Sequence, residues 1–173
     1  MKITSLSLTS FRAARGLTLP MHAPRVFIAG LNGSGKTSCR EAVRWALRGV
    51  CEATDLKGAG AEALIPVDAK DATVSLVLDG IGKVTRTFAE HGGTAFSVEG
   101  FTGTSGVQQQ ALLAKLGTSA AFLDAVMATD VFWKLHHGDA KALVLSLLNV
   151  KVQIATWGDG DAKDQPVYAT LDE

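Results

Sequence analysis

Only two cysteines, Cys39 and Cys51, occur in the 173 residues. That excludes a disulfide framework and a four-cysteine zinc site, and reduced thiols fit a cytosolic protein best. An excess of either charge is also missing, because 17 basic side chains meet 17 acidic ones. A chain whose main task was gripping nucleic acid would carry a basic surplus, at least locally. A DNA role would therefore rest on a patch, a partner or a further region. No apolar run approaches the roughly 20 residues that cross a bilayer. The opening MKITSLSLTSF lacks the apolar block and cleavage site of a signal peptide. The expectation is a soluble, cytoplasmic chain without a membrane partner. Its 47% hydrophobic and 20% charged residues are those of a globular protein, and the length suits one well-packed domain. There is no internal repeat.

What is present begins with alternation. KITSLSLT (2–9) has the period of a strand, with Ile3, Leu6 and Leu8 as its buried set. After Phe11-Arg12 and a turn around Gly16, LTLPM (17–21) is expected to pair back as a hairpin, with Pro20 favouring an edge. The β-branched run Val26-Phe27-Ile28-Ala29 has the character of a strand buried on both faces. From Thr37 to Arg48 the period becomes helical. Cys39, Ala42, Val43, Ala46 and Leu47 fall on one stripe, while Arg40, Glu41, Arg44 and Arg48 lie outside it, and Gly49 is the stop. Residues 52–71 read as loop with a turn of helix. ATVSLVLD (72–79) and KVTRTFAE (83–90) alternate around Gly80-Ile81-Gly82, and TAFSVE (94–99) extends that hairpin into a meander. Helices are expected at 108–116, 120–127 and 139–150, with a solvated face for Gln108–Gln110 and a loose tail at the end.

Between the second apolar run and the first helix stands G-x-x-x-x-G-K-T, from Gly30 to Thr37. Glycines there let the backbone turn tightly and aim several N–H groups at a phosphate. Lys36 supplies a mobile positive charge for the β- and γ-phosphates, and the Thr37 hydroxyl is a Mg²⁺ ligand. The helix that starts at this point adds its positive end to the same anion site. Strand, glycine loop and helix follow in the order a P-loop requires.

The string GLNGSGKTS (30–38), with LTSFR (8–12) ahead of it, resembles the N-terminal half of P-loop ATPases of the SMC, SbcC and RecF type. Asn32, Gly33 and Ser38 match the characteristic G-x-N-G-x-G-K-[ST]-[ST] of that group. FWKLHHGDAKALVLSLLNV (132–150) resembles its helical stretch more loosely. The resemblance implies an α/β P-loop fold, the N-terminal lobe of an ABC-type ATPase head, with a mixed sheet, an antiparallel β-subdomain and a short helical region. It implies one head portion over residues 1–150, followed over 151–173 by a loose tail or the start of a coiled-coil region. ATP and Mg²⁺ are the implied cofactors. Gly30, Asn32, Gly33, Ser34, Gly35, Lys36, Thr37 and Ser38 would hold the nucleotide, Arg12 would lie near it, and Lys36 would be catalytic. Implied partners are the C-terminal half of the same head or a second head, DNA for the intact protein, and a nuclease subunit. The implied role is DNA repair, recombination or chromosome handling.

The departures from that pattern bear on activity. The family glutamine that should precede Phe132 by about six residues is replaced by Val126-Met127-Ala128, with Asp130 the nearest substitute. No apolar strand ending in Asp-Glu follows the helices, since VSLVLDG (74–80) places Gly80 after Asp79. No L-S-G-G-Q-like signature occurs, because LGTSAAF (116–122) lacks it. The chain thus carries the grip and not the cutting apparatus. Two alternatives stay open: a self-sufficient small NTPase or kinase using Asp79 or Asp130, and a non-catalytic nucleotide-binding stub. Arg40, Arg44 and Arg48 form an i, i+4, i+8 stripe, a solvated face or a DNA-backbone contact. Adjacent His136 and His137 diverge too far to share a metal, and GDGDAKD (158–164) lacks the closing glutamate of a calcium loop.

Overall fold

Alternation along the first strand sets the architecture. In the computed structural model β1 spans Ile3–Phe11 and turns Leu6 and Leu8 inward. Ser10, at φ 48, breaks the alternation, so that Phe11 also faces the core at 0% exposure. Arg12, at φ 53, then carries the turn into β2 (Ala14–Pro20). The turn therefore falls at Arg12-Ala13 rather than around Gly16, which lies inside β2 opposite Thr9. Arg12 and Ser10 supply the left-handed residues that glycine was expected to provide.

The described residues are 2–23, 25–51, 61–90 and 93–127. All of them belong to one unit, Met1–Met127. The expected helix at 139–150, the segment 132–150, Asp130, the histidine pair and the tail lie outside them.

Three more strands, β3 (Asp71–Leu78), β4 (Gly82–Ala89) and β5 (Gly93–Val98), form the expected meander. The hairpin and the meander join through β1 and β3, with Leu6 opposite Leu76 and Leu8 opposite Val74. The result is one sheet in the order β2-β1-β3-β4-β5, antiparallel at every pairing. Its inner face is Leu6, Leu8, Val74, Leu76, Val84, Phe96 and Val98. Its outer face carries hydroxyls in register, with Ser7 against Thr18 at 3.2 Å, Ser75 against Thr85 at 3.1 Å and Thr73 against Thr87 at 3.0 Å. β2, with Pro20, lies at an edge, as its missing N–H requires.

Helix α1 (Lys36–Arg48) lies across the inner face, against β1, β3 and β4. Its buried arc is wider than the predicted stripe. Trp45 is 1% exposed and meets Phe11 with ring centroids 5.5 Å apart, and Glu41 and Arg44 are buried as well. Gly49, at φ 77, ends the helix, its N–H donating to Trp45 O at 2.7 Å. Helices α2 (Ser105–Lys115) and α3 (Ala120–Met127) follow near the expected places. Gln108 and Gln109 do not form a solvated face. Gln108 Oε1 accepts from Val98 N at 2.8 Å, and the Ser105 hydroxyl exchanges hydrogen bonds with Phe96 N and O. The outer edge of β5 is thereby closed by α2 side chains instead of being left open to another strand.

The expected strand Val26–Ala29 is not formed. These residues pair with none of the described strands, and Val26, Phe27 and Ile28 are 40%, 89% and 39% exposed. A strand buried on both faces needs neighbours along its edges and cover above and below. Within the sheet β1, β3 and β4 already have a partner on each side, and α2 closes β5. No helix among the described residues is long and apolar enough to cross a membrane.

Candidate nucleotide-phosphate site

Residues 30–36 turn back on themselves just ahead of α1. Ser34 N–H donates to Leu31 O at 3.2 Å, and a Cβ added at Gly30 would lie 2.6 Å from Ser34 Oγ. Glycine at position 30 is what permits this approach. Gly35 stands at the helix N-cap with φ 89, where a side chain would be strained, and Cys39 N–H closes the first helical turn onto Gly35 O at 3.0 Å.

Lys36 points back over this bend. Its Nζ donates to Gly30 O at 2.8 Å and to Leu31 O at 2.7 Å, so the ammonium spans the start of the loop. No side chain caps α1 at its N-terminus, and no acidic residue stands in its first turn. The first N–H groups of a helix have no partner within it. Here they are left to a ligand or to water, at the positive end of the helix dipole. Asn32, Gly33, Ser34 and Thr37 are exposed, and Ser38 is buried at 6%.

These features fit the phosphates of a nucleotide: a bend that a Cβ would fill, uncapped N–H groups and a flexible cation. For Mg²⁺ the fit is narrower. Thr37 offers one exposed hydroxyl, and among the described residues no cluster of three His, Cys, Asp or Glu could hold a metal ion. Any Mg²⁺ would depend on phosphate and water oxygens for most of its ligands.

The residues from Gly30 to Lys36 form one bend, and Arg12 stands in the β1–β2 turn. Its N–H donates to Leu64 O at 2.7 Å, in the 3₁₀ turn Ala61–Leu64, and its side-chain Nη1 is buried without a hydrogen-bond partner. Asp79, one of the two proposed substitutes, lies exposed beyond β3 with its N–H donating to Lys2 O at 2.9 Å.

The opposite end of α1 holds residues that belong to no sequence motif. Arg86 of β4 is 7% exposed, donates its Nε–H to Ala46 O at 3.2 Å and stacks its guanidinium 4.3 Å from the centre of the Phe96 ring. A second guanidinium nitrogen donates to Gln109 Oε1, and Gln109 Nε2 donates to Leu47 O. Burial, and secondarily the charge of Arg48, push the Arg86 guanidinium down to about 10. Arg48 makes a two-pronged bond to Asp124 of α3, at 2.9 and 3.2 Å. The arginine stripe is therefore not an open cationic face, since Arg44 is buried and Arg48 is paired. Strand period held the signal for Arg86, which shares parity with Val84 and Phe88 and so had to point inward.

A sheet, a glycine bend and a lysine folded over a helix start are parts of a P-loop fold. Residues 5–121 match the AAA domain family, and the chain belongs to it. Among solved structures it is similar to one described under ATP-driven dimerization and DNA-stimulated activation of SMC ATPases, with a TM-score of 0.62 and 21% identity over 85% of this chain and 99% of that one. It is similar also to an Smc head bound to the C-terminal winged-helix domain of ScpA, with a TM-score of 0.53 and 16% identity over 86% of this chain and 56% of the other. A third is the recombination mediator RecF with ATP, with a TM-score of 0.51 and 21% identity over 61% of this chain and 30% of that one. At these identities the likeness is one of fold. No curated protein matches.

Proposed function

We propose that this chain binds ATP with Mg²⁺ and forms the nucleotide-gripping lobe of an SMC/RecF-like ATPase. The observation that carries the reading is Lys36 drawn back onto Gly30 O and Leu31 O beside an uncapped helix start. An anion entering the bend would exchange those neutral carbonyls for phosphate oxygens, adding charge–charge attraction to bonds whose donor is already ionised. Backbone N–H groups from Asn32 to Thr37 would hold the phosphates, with Gly30, Gly33, Ser34 and Gly35 shaping the bend. Lys36 would offset charge developing on the γ-phosphate, and the Thr37 hydroxyl would bind the metal, with Ser38 supporting it from the buried side. Arg12 would add a second cation, its unpartnered Nη1 being a donor that an oxyanion would satisfy.

Hydrolysis would take an acidic residue and a signature loop from the C-terminal half of the head or from a second head. The exposed apolar run Val26, Phe27, Ile28 and Leu31 supports a polypeptide cover beside the bend. In the intact protein we place the activity in DNA repair, recombination or chromosome handling, with DNA and a nuclease subunit as further partners. The cytoplasm suits two cysteines that no disulfide joins.

Calorimetric titration of the whole chain with ATP and Mg²⁺, alongside Lys36→Ala, tests this. Binding without turnover, lost in Lys36→Ala, is the expected result. Turnover by the chain alone would favour the self-sufficient NTPase, and no binding at all would overturn the proposal.

A further inference from the structure

The bend proposed as the phosphate site lies at one end of α1, and the other end is gripped by side chains from β4 and α2. Three successive carbonyls there accept from groups outside the helical ladder or at its cap: Trp45 O from Gly49 N–H, Ala46 O from Arg86 Nε–H, and Leu47 O from Gln109 Nε2–H. Arg86 and Gln109 are also bonded to each other, so β4 and α2 hold the helix end as one bracket. The Phe96 ring backs the guanidinium on β5, and the bracket fills the space beside Gly49, where an added Cβ would be 3.0 Å from Arg86 Nη1.

Among the described residues no carboxylate pairs with Arg86, and Arg48 nearby repels it. A buried charge in such surroundings is costly, and an apolar residue of similar size usually serves stability as well. What the charge does have is the negative end of a helix whose positive end faces the phosphate bend. A cation at that end is stabilised by the same dipole that draws an anion to the other.

We propose that Arg86 is a positioning residue for nucleotide binding. With Gln109 as its second anchor, it fixes the C-terminal end of α1, so that the N–H groups at the opposite end are presented to the phosphates in one orientation. The inference rests on the reading of residues 30–38 as a nucleotide site. The helix is about 18 Å long between the two ends. Across that distance a buried unit charge alone is worth about five-fold in affinity for a singly charged ligand, at an effective dielectric of about 20. Loss of orientation adds to this.

The test is the affinity of the whole chain for a fluorescent ATP analogue with Mg²⁺, well below the melting temperature. Arg86→Met is expected to weaken binding about 5- to 10-fold. Arg86→Lys keeps the charge without the planar fork and should return to within about 3-fold of the parent. Val98→Ala, a core truncation on β5, serves as a destabilised control and should leave affinity unchanged when its melting temperature has fallen comparably. Should Arg86→Met not fold, Gln109→Leu carries the test, with an expected loss of about 3-fold from the freed Leu47 carbonyl and loosened guanidinium. Equal affinity of the folded variant and the parent would overturn the proposal, as would an equal loss in Val98→Ala. Failure of the parent itself to bind the analogue would instead overturn the nucleotide site.

Discussion

At the scale of single residues, the phosphate bend depends on Gly30 meeting Ser34 without a side chain between them. A Cβ at position 30 would come within 2.6 Å of Ser34 Oγ, so Gly30→Ala must push the hydroxyl aside or open the bend. Opening it moves Gly30 O away from Lys36 Nζ. Gly30→Ala should weaken ATP binding about ten-fold, and adding Ser34→Ala should recover part of that loss, because residues in contact couple. A double-mutant cycle of affinities checks this, and simple additivity would contradict it. Cys39 supports a second expectation. It is 3% exposed, and burial pushes its thiol up, so the native state keeps the proton longer than the unfolded chain does. Stability from this group is present below the thiol's unfolded pKa and is lost as pH rises through the folded value. Urea midpoints should fall more between about pH 8 and pH 10 in the parent than in Cys39→Ser. At about pH 8 neither cysteine should react with a thiol reagent until the chain is unfolded.

At the scale of elements, α1 is held to α3 by the two-pronged bond between Arg48 and Asp124, each 19% exposed. A pair mostly but not wholly removed from water lies between exposed bridges, worth under about 1 kcal/mol, and buried ones, whose rupture costs about 3–5. Asp124→Asn should therefore cost about 1–2 kcal/mol in urea unfolding, with Arg48 left beside Arg86. A change below about 0.3 kcal/mol would show that the two helices are held by apolar packing alone. The strands of this unit's sheet were legible because period 2 assigns a face to every residue. KITSLSLT, ATVSLVLD and KVTRTFAE all lie where alternation put them. The same period implies an inward Arg86, which the sequence reading did not single out, and nothing in the sequence said that the carbonyls of α1 would receive it. Helix faces were less legible. A stripe drawn through Cys39, Ala42 and Leu47 missed Trp45 and left Glu41 and Arg44 outside, because a helix laid over a sheet can bury more than half of its circumference. Local sequence was enough to mark the bend at Gly30–Lys36, since its glycines and lysine act on one another within seven residues. Whether Val26–Ala29 becomes a strand is decided by neighbours, which its own residues do not encode.

At the scale of the whole molecule, that segment is the main unsatisfied feature. Phe27 and Leu31 are 89% and 86% exposed, whereas most other large apolar side chains among the described residues face the sheet or its helices. Covering both would remove enough apolar area to contribute about 2–4 kcal/mol to an association, sufficient to drive non-specific contact when no specific cover is present. The chain on its own should therefore self-associate as its concentration rises. The double variant Phe27→Gln with Leu31→Gln, which brings no charge to the bend, should suppress this in light scattering while leaving the melting temperature within a degree or two, because neither side chain belongs to the core cluster. The same variant should keep ATP affinity, since Lys36 bonds to the carbonyl of Leu31 and not to its side chain. It should fail, however, to gain ATPase activity on mixing with a C-terminal head half that activates the parent. Retained activation would mean that the apolar run is incidental and that completion of the site occurs elsewhere on the lobe.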